Sequence, residues 1–169
     1  KMKKRFLAVL VALTVALALL PGSAFADDFE IVNIWQDGIW SDESFPPTIG
    51  DRGLYYLEED VTVTRTITVT GTAVLDLNGH VLDGAMRTRI FLVQDGGRLV
   101  ITDSDAQKRG ALAGGSAEDA SVTHSGGGVY VAAGGQLELN GATIRDCQGA
   151  YGGGAVCTQG NFYMYNGAV

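Results

Sequence analysis

The residues with a capacity for chemistry are few and scattered. Acids occur in two close pairs, Asp76 with Asp83 and Asp103 with Asp105. Glycoside hydrolysis needs two carboxyl groups facing each other across a groove, about 5–9.5 Å apart. In an alternating strand Asp76 points outward, and Asp83 falls near a corner, so convergence is not implied and solvated surface acids are expected. Arg87, Arg89 and Arg98 lie near Asp83 and Asp95 in sequence without forming a recognisable lyase signature. His80 follows an Asn78-Gly79 corner and His124 sits in a polar stretch; neither has an evident Ser or Cys nucleophile and orienting acid. The glycine triplets 126–128 and 152–154 are not followed by Lys-Ser/Thr or a helix start, as a phosphate loop would be, and read as corners. Cys147 and Cys157 are the only cysteines, short of the roughly four ligands of a zinc site. In an exported chain they permit a disulfide; two small, half-buried thiols are the alternative. Trp35 and Trp40 suit sugar stacking, but covering one end of the fold is the preferred reading. No catalytic residue, metal ligand or cofactor is therefore expected.

The elements that must position these residues begin with an export signal. Lys1, Lys3, Lys4 and Arg5 precede an apolar run from Phe6 to Leu20, and Pro21-Gly22 and Ala24-Phe25-Ala26 follow. A basic start, an apolar stretch short of the ~20 residues that span a bilayer, and a small-x-small site describe a secretory signal cleaved after Ala26. All 19 acids follow that point, while four of the 12 basic residues precede it. The mature 143 residues thus carry eight bases against 19 acids, a formal charge of −11. Such a surface argues against nucleic acid and anionic membranes as partners, and no membrane insertion of the mature segment is expected.

After residue 26 no stretch has helical periodicity. Residues 27–54, with both tryptophans and Pro46-Pro47, read as an irregular N-terminal cap, and residues 55–169 as short strands punctuated by Gly, Asn and Asp. Internal repetition organises them. Gly126 to Val131 returns as Gly152 to Cys157, an offset of 26. Leu75-Asp76-Leu77-Asn78-Gly79 resembles Leu137-Glu138-Leu139-Asn140-Gly141 and Phe162 to Gly167. Leu75 to Leu99 is 24 residues, and Leu99 to Leu137 is 38, which places an insertion within Ser104 to Ser125. A period of about 24–26 residues made of strands and turns fits the coil of a parallel β-helix. Leu75, Leu77, Val129, Val131, Leu137 and Leu139 then point inward, and Asp76, Tyr130 and Glu138 outward. Asn78 and Asn140 stack as an asparagine ladder. An offset of 25 puts Phe162 and Met164 inside and Tyr163 and Tyr165 outside; an offset of 26 aligns the Asn-Gly corners instead. Burying a large apolar side chain is worth about 1.5–3 kcal/mol, so 25 is expected.

The segments Tyr55-Tyr56-Leu57 to His80, Gly126 to Ile144 and Gly152 to Val169 resemble the right-handed parallel β-helix repeats of bacterial secreted and cell-surface proteins, of the pectate-lyase-like superfamily. The GGGVYV block followed by a strand ending in NGAT is similar to adhesin-type surface repeats. This resemblance implies export, surface display and further coils after Val169. It leaves activity open, because the superfamily holds adhesins and passenger domains as well as lyases and hydrolases; its lyases use clustered acids for calcium and a basic residue as the base. The expected function is a secreted or cell-surface module, adhesin-like or a structural stalk, with an extracellular glycan or a host or cell-surface protein as partner. The alternative is the N-terminal part of a polysaccharide lyase or glycoside hydrolase. The signal reading predicts that N-terminal sequencing of secreted protein begins at Asp27; retention of residues 6–20 would overturn it.

Overall fold

A computed structural model describes residues 30–31, 48–50, 53–117 and 125–169. The expected leader, Trp35, Trp40 and His124 lie outside the described residues. The described chain is all β, with strands numbered β1 to β15 in chain order and no helix. Six form one sheet in the order β1 (Glu30–Ile31), β3 (Gly53–Tyr56), β6 (Thr72–Asp76), β9 (Arg98–Thr102), β12 (Gln136–Asn140) and β15 (Asn161–Tyr165). A four-stranded sheet holds β4 (Val61–Thr62), β7 (Val81–Asp83), β10 (Ala111–Ala113) and β13 (Thr143–Arg145). A five-stranded sheet holds β2 (Thr48–Ile49), β5 (Ile67–Val69), β8 (Phe91–Val93), β11 (Val129–Val131) and β14 (Val156–Thr158). Every pairing is parallel, and from β3 onward the chain visits the six-, four- and five-stranded sheets in turn. Strands of successive turns thus stack at about 4.8 Å, an arrangement that fits a parallel β-helix.

The core is the set of inward columns this stacking makes. On the six-stranded sheet Ala73, Leu99, Leu137 and Phe162 stand in one row and Tyr55, Leu75, Ile101, Leu139 and Met164 in another. Val61, Leu82, Leu112 and Ile144 supply the four-stranded sheet, and Ile67, Phe91 and Val129 with Val69, Val93 and Val131 the five-stranded one. Almost all belong to one buried cluster, so Leu75, Leu77, Val129, Val131, Leu137 and Leu139 face inward as expected.

The stacking register refines the repeat. Leu137 pairs with Phe162 and Leu139 with Met164, the offset of 25. Tyr163 and Tyr165 are exposed and Phe162 packs on the core, but Met164 is 49% exposed rather than buried. Its strand, β15, has a neighbour on one side only among the described residues. The glycine blocks stack at an offset of 27 rather than 26, which brings Val156 beside Val129 and Cys157 beside Tyr130. Leu75 lies beside Ile101 and not Leu99, an offset of 26. Burial decides each case, since Val156 packs against the core cluster and Leu75 and Ile101 are enclosed. The insertion is split: eight residues join β9 to β10 where four join β6 to β7, and fifteen join β10 to β11 where seven join β7 to β8. Asn78 and Asn140 do not form a ladder. Asn140 sits in the row of Asp76 and Thr102, whereas Asn78 and Gly79, with φ of 49° and 82°, occupy a two-residue turn closed by His80 N–H to Leu77 O at 2.8 Å.

Corners bring backbones so close that some positions admit no side chain. A Cβ on Gly127 would lie 2.2 Å from the Gln148 carbonyl oxygen. Leu137→Ala is expected to lower stability by about 2–5 kcal/mol, and Met164→Ala to stay within about 1 kcal/mol, measured by urea unfolding of the 169-residue chain. Equal losses would contradict the assigned core.

Candidate functional site

The outer face of the six-stranded sheet is the surface whose chemistry is richest. Its central column reads Leu54, Val74, Val100, Glu138 and Tyr163. The first four are buried and Tyr163 is exposed. The next column reads Tyr56, Asp76, Thr102, Asn140 and Tyr165, again passing from buried to exposed. Asp76, expected to be solvated, and Glu138, expected to point outward, are 0% and 2% exposed. They do stand on the non-core face, but that face is itself buried along the central strands, where Leu54, Val74 and Val100 are also enclosed. A carboxylate in such a place needs hydrogen bonds. Glu138 Oε1 accepts from Arg98 Nε at 2.8 Å, from a terminal Arg98 nitrogen at 2.6 Å and from Gln136 Nε2, whereas Oε2 is buried without a partner among the described residues. The two consecutive apolar runs, Ala73-Val74-Leu75 and Leu99-Val100-Ile101, were the signal of two-sided burial, because a strand with one wet face alternates.

Asp76 and Asp103 form a reciprocal clasp between two stacked corners. Asp76 Oδ1 accepts the Asn78 amide at 2.9 Å within its own turn and the Ser104 amide at 2.8 Å from the next coil. Asp103 Oδ1 accepts the Asp105 amide at 3.1 Å and, across the coils, the Gly79 amide at 2.7 Å; its Oδ2 accepts the Gly110 amide at 2.6 Å. Asn78 Nδ2 adds a bond to the Leu57 carbonyl at 2.9 Å. Asp76 Oδ2 is buried without a hydrogen-bond partner among the described residues. Burial, with Asp103 nearby, raises the pKa of Asp76 against the hydrogen bonds from Ser104 and Asn78.

The remaining acids do not converge. Asp83, at the end of β7 in the four-stranded sheet, accepts the Ala85 amide at 2.7 Å. Asp95 follows β8 on another sheet, beside Gly134, where a Cβ would come within 1.9 Å of its Oδ1. Asp105 holds exposed Arg109 at 2.9 Å. His80 Nδ1 lies 3.5 Å from Asp60, which also accepts the Val81 amide. Among the described residues no group of three or more His, Cys, Asp or Glu is arranged to hold a metal ion.

Arg89, weighed only as a neighbour of Asp83, is instead a buried anchor. Its Nε and a terminal nitrogen donate to the Gly126 and Ser125 carbonyls at 3.1 and 2.9 Å, pinning the end of the long corner. Its guanidinium lies 5.2 Å from the Tyr130 ring centroid. Tyr130, expected to point outward, is therefore covered and only 5% exposed. Cys147 and Cys157 are both free thiols. Cys147 packs against the core, and burial pushes its pKa up, which makes it a poor nucleophile.

The accessible side chains include a pair of stacked aromatic rings. Tyr163 and Tyr165 are 43% and 40% exposed, with ring planes 9° apart and centroids 6.5 Å apart. Parallel rings with hydroxyl tips, beside Asn140 and Asn161, can stack on an apolar face and hydrogen-bond at its rim. Comparison with protein-family models, curated proteins and solved structures finds no match. No helix among the described residues is long and apolar enough to cross a membrane.

Because Asp76 holds its proton more tightly folded than unfolded, its contribution to stability is greatest at low pH and is lost as pH rises through its folded pKa. Asp76→Asn keeps the oxygen that accepts both amides. Its melting temperature relative to the parent is expected to rise between about pH 4 and pH 7; a difference that falls over that interval would contradict the assignment.

Proposed function

We propose that this chain is a secreted or cell-surface module, a right-handed β-helical stalk or adhesin-like segment that presents a contact face and performs no catalysis within this segment. The observation that supports it best is the use of its carboxylates: Asp76, Asp83, Asp103 and Glu138 each accept hydrogen bonds that hold corners or strands. The expected export signal and the resemblance to pectate-lyase-like surface repeats support a location outside the cytoplasm. The contact face is Tyr163 with Tyr165, and its partner is an extracellular glycan or a cell-surface protein.

The reading is tested by binding of the mature chain to an immobilised panel of plant and host glycans and to whole cells, with Tyr163→Ala and Tyr165→Ala variants. Binding that falls about tenfold per tyrosine, equivalent to about 1.4 kcal/mol, with unchanged melting temperature, is expected. Release of unsaturated or reducing sugar by the parent chain, with or without calcium, would instead establish the enzyme alternative.

A further inference from the structure

The corner that joins β7 to β8 carries a conformational anomaly. Gly84 to Arg87 form a two-residue turn closed by Arg87 N–H to the Gly84 carbonyl at 2.9 Å, and both central residues, Ala85 and Met86, have positive φ, 49° and 57°. The same kind of turn at Leu77 to His80 uses Asn78 and Gly79, residue types that tolerate it. Ala and Met carry a Cβ and offer no side-chain hydrogen bond there, so the left-handed conformation is unfavourable at both. The surroundings hold it. Asp83 Oδ1 accepts the Ala85 amide at 2.7 Å, and the Gly114 carbonyl of the next coil accepts the Met86 amide at 2.6 Å. Gly84 is itself confined: a Cβ there would lie 2.7 Å from the Thr88 carbonyl oxygen and 2.8 Å from that of Gly114. The corner has a described coil on each side, with Thr66 Oγ1 3.3 Å from Thr88 Oγ1 and Ser116 N–H donating to the Thr88 carbonyl at 2.9 Å. The backbone of Met86 is thus fastened within the stack while the residue is 47% exposed. Of the chain's three methionines, Met2 lies outside the described residues and Met164 stands in an inward row, whereas Met86 is placed at a corner.

We infer that Met86 is a site of oxidative modification, a thioether that peroxides convert to the sulfoxide in the folded protein while the coil stack stays intact. A sulfur lone pair attacks one peroxide oxygen. The S–O bond forms as the O–O bond breaks, and the departing hydroxide takes the proton from the transferred oxygen and leaves as water. Sulfur is oxidised by two electrons and the peroxide is reduced by two. Oxidation follows exposure, and a half-exposed side chain reacts without any opening of the fold. A core thioether must instead wait for unfolding, a state populated at about one part in a thousand or less. The hydrogen bonds that fasten the turn run through backbone amides and not through sulfur. The sulfoxide therefore leaves them standing, and Met86 consumes oxidant where damage to the fold is least.

The turn's composition then has a reason. Asn-Gly at these two positions would relieve the strain and remove the thioether, so stability and the oxidation site are in opposition. The test is treatment of the folded 169-residue chain with dilute hydrogen peroxide, with peptide mass spectrometry following sulfoxide formation at Met86, beside the same reaction in chain unfolded by urea. Folding is expected to slow oxidation of Met86 by less than about tenfold. The drop in melting temperature on treatment is expected to differ by less than about 2 °C between the parent and a Met86→Leu control, which registers oxidation at the other methionines. Ala85→Asn combined with Met86→Gly, which copies the turn at Asn78-Gly79, is expected to melt at least about 2 °C above the parent. A larger slowing on folding would overturn the inference, as would a larger treatment-induced drop in the parent than in the control. A double variant no more stable than the parent would contradict the strained turn on which it rests.

Discussion

Everything in this molecule depends on one constraint: each coil must set its apolar residues directly over those of the coil before it. Parallel strand pairing supplies the spacing, and the columns Ala73–Leu99–Leu137–Phe162 and Leu75–Ile101–Leu139–Met164 supply the burial. Because side chains alternate between faces, a slip of one residue would expel a whole column. The register therefore holds within each sheet while the corners absorb the differences in length. That is why an eight-residue and a fifteen-residue connection can enter one turn without displacing β9, β10, β11 or β12 from their rows.

The same constraint explains what the acids do. A stack of open corners leaves backbone amides facing one another, and each must find an acceptor. Asp76 and Asp103 meet this need reciprocally, each accepting an amide from the other's coil. Asp83 does so within its own corner. Arg89 performs the complementary task, donating to two carbonyls at the end of the longest connection. Several polar residues that suggest chemistry in a list thus serve as fasteners in three dimensions.

The sequence made the all-β class and the stacked parallel architecture legible, because the repeat, the alternation and the glycine corners agree. It also made the inward faces of Leu75, Leu137 and Val129 legible, since period two fixes them once a strand is recognised. The stacking offsets at Val156 and Leu75 were hidden, because similar motifs such as the glycine triplets drew the alignment to the corners rather than to the buried residues. The burial of Glu138 and Asp76 was hidden for another reason. Alternation tells which face a residue takes and not whether that face is wet, and only the unbroken apolar runs of β6 and β9 carried the second fact. Arg89 gave no local signal at all, since its partners lie 36 and 37 residues further along.

The claim that the acids belong to the fold is tested most directly at Asp103, whose two oxygens accept three amides. In Asp103→Asn one oxygen becomes an NH2 group facing an amide donor. Measured by urea unfolding at neutral pH, the variant is predicted to lose about 1–3 kcal/mol of stability. A variant as stable as the parent, with loss of a polysaccharide-cleaving activity that the parent possesses, would contradict the account.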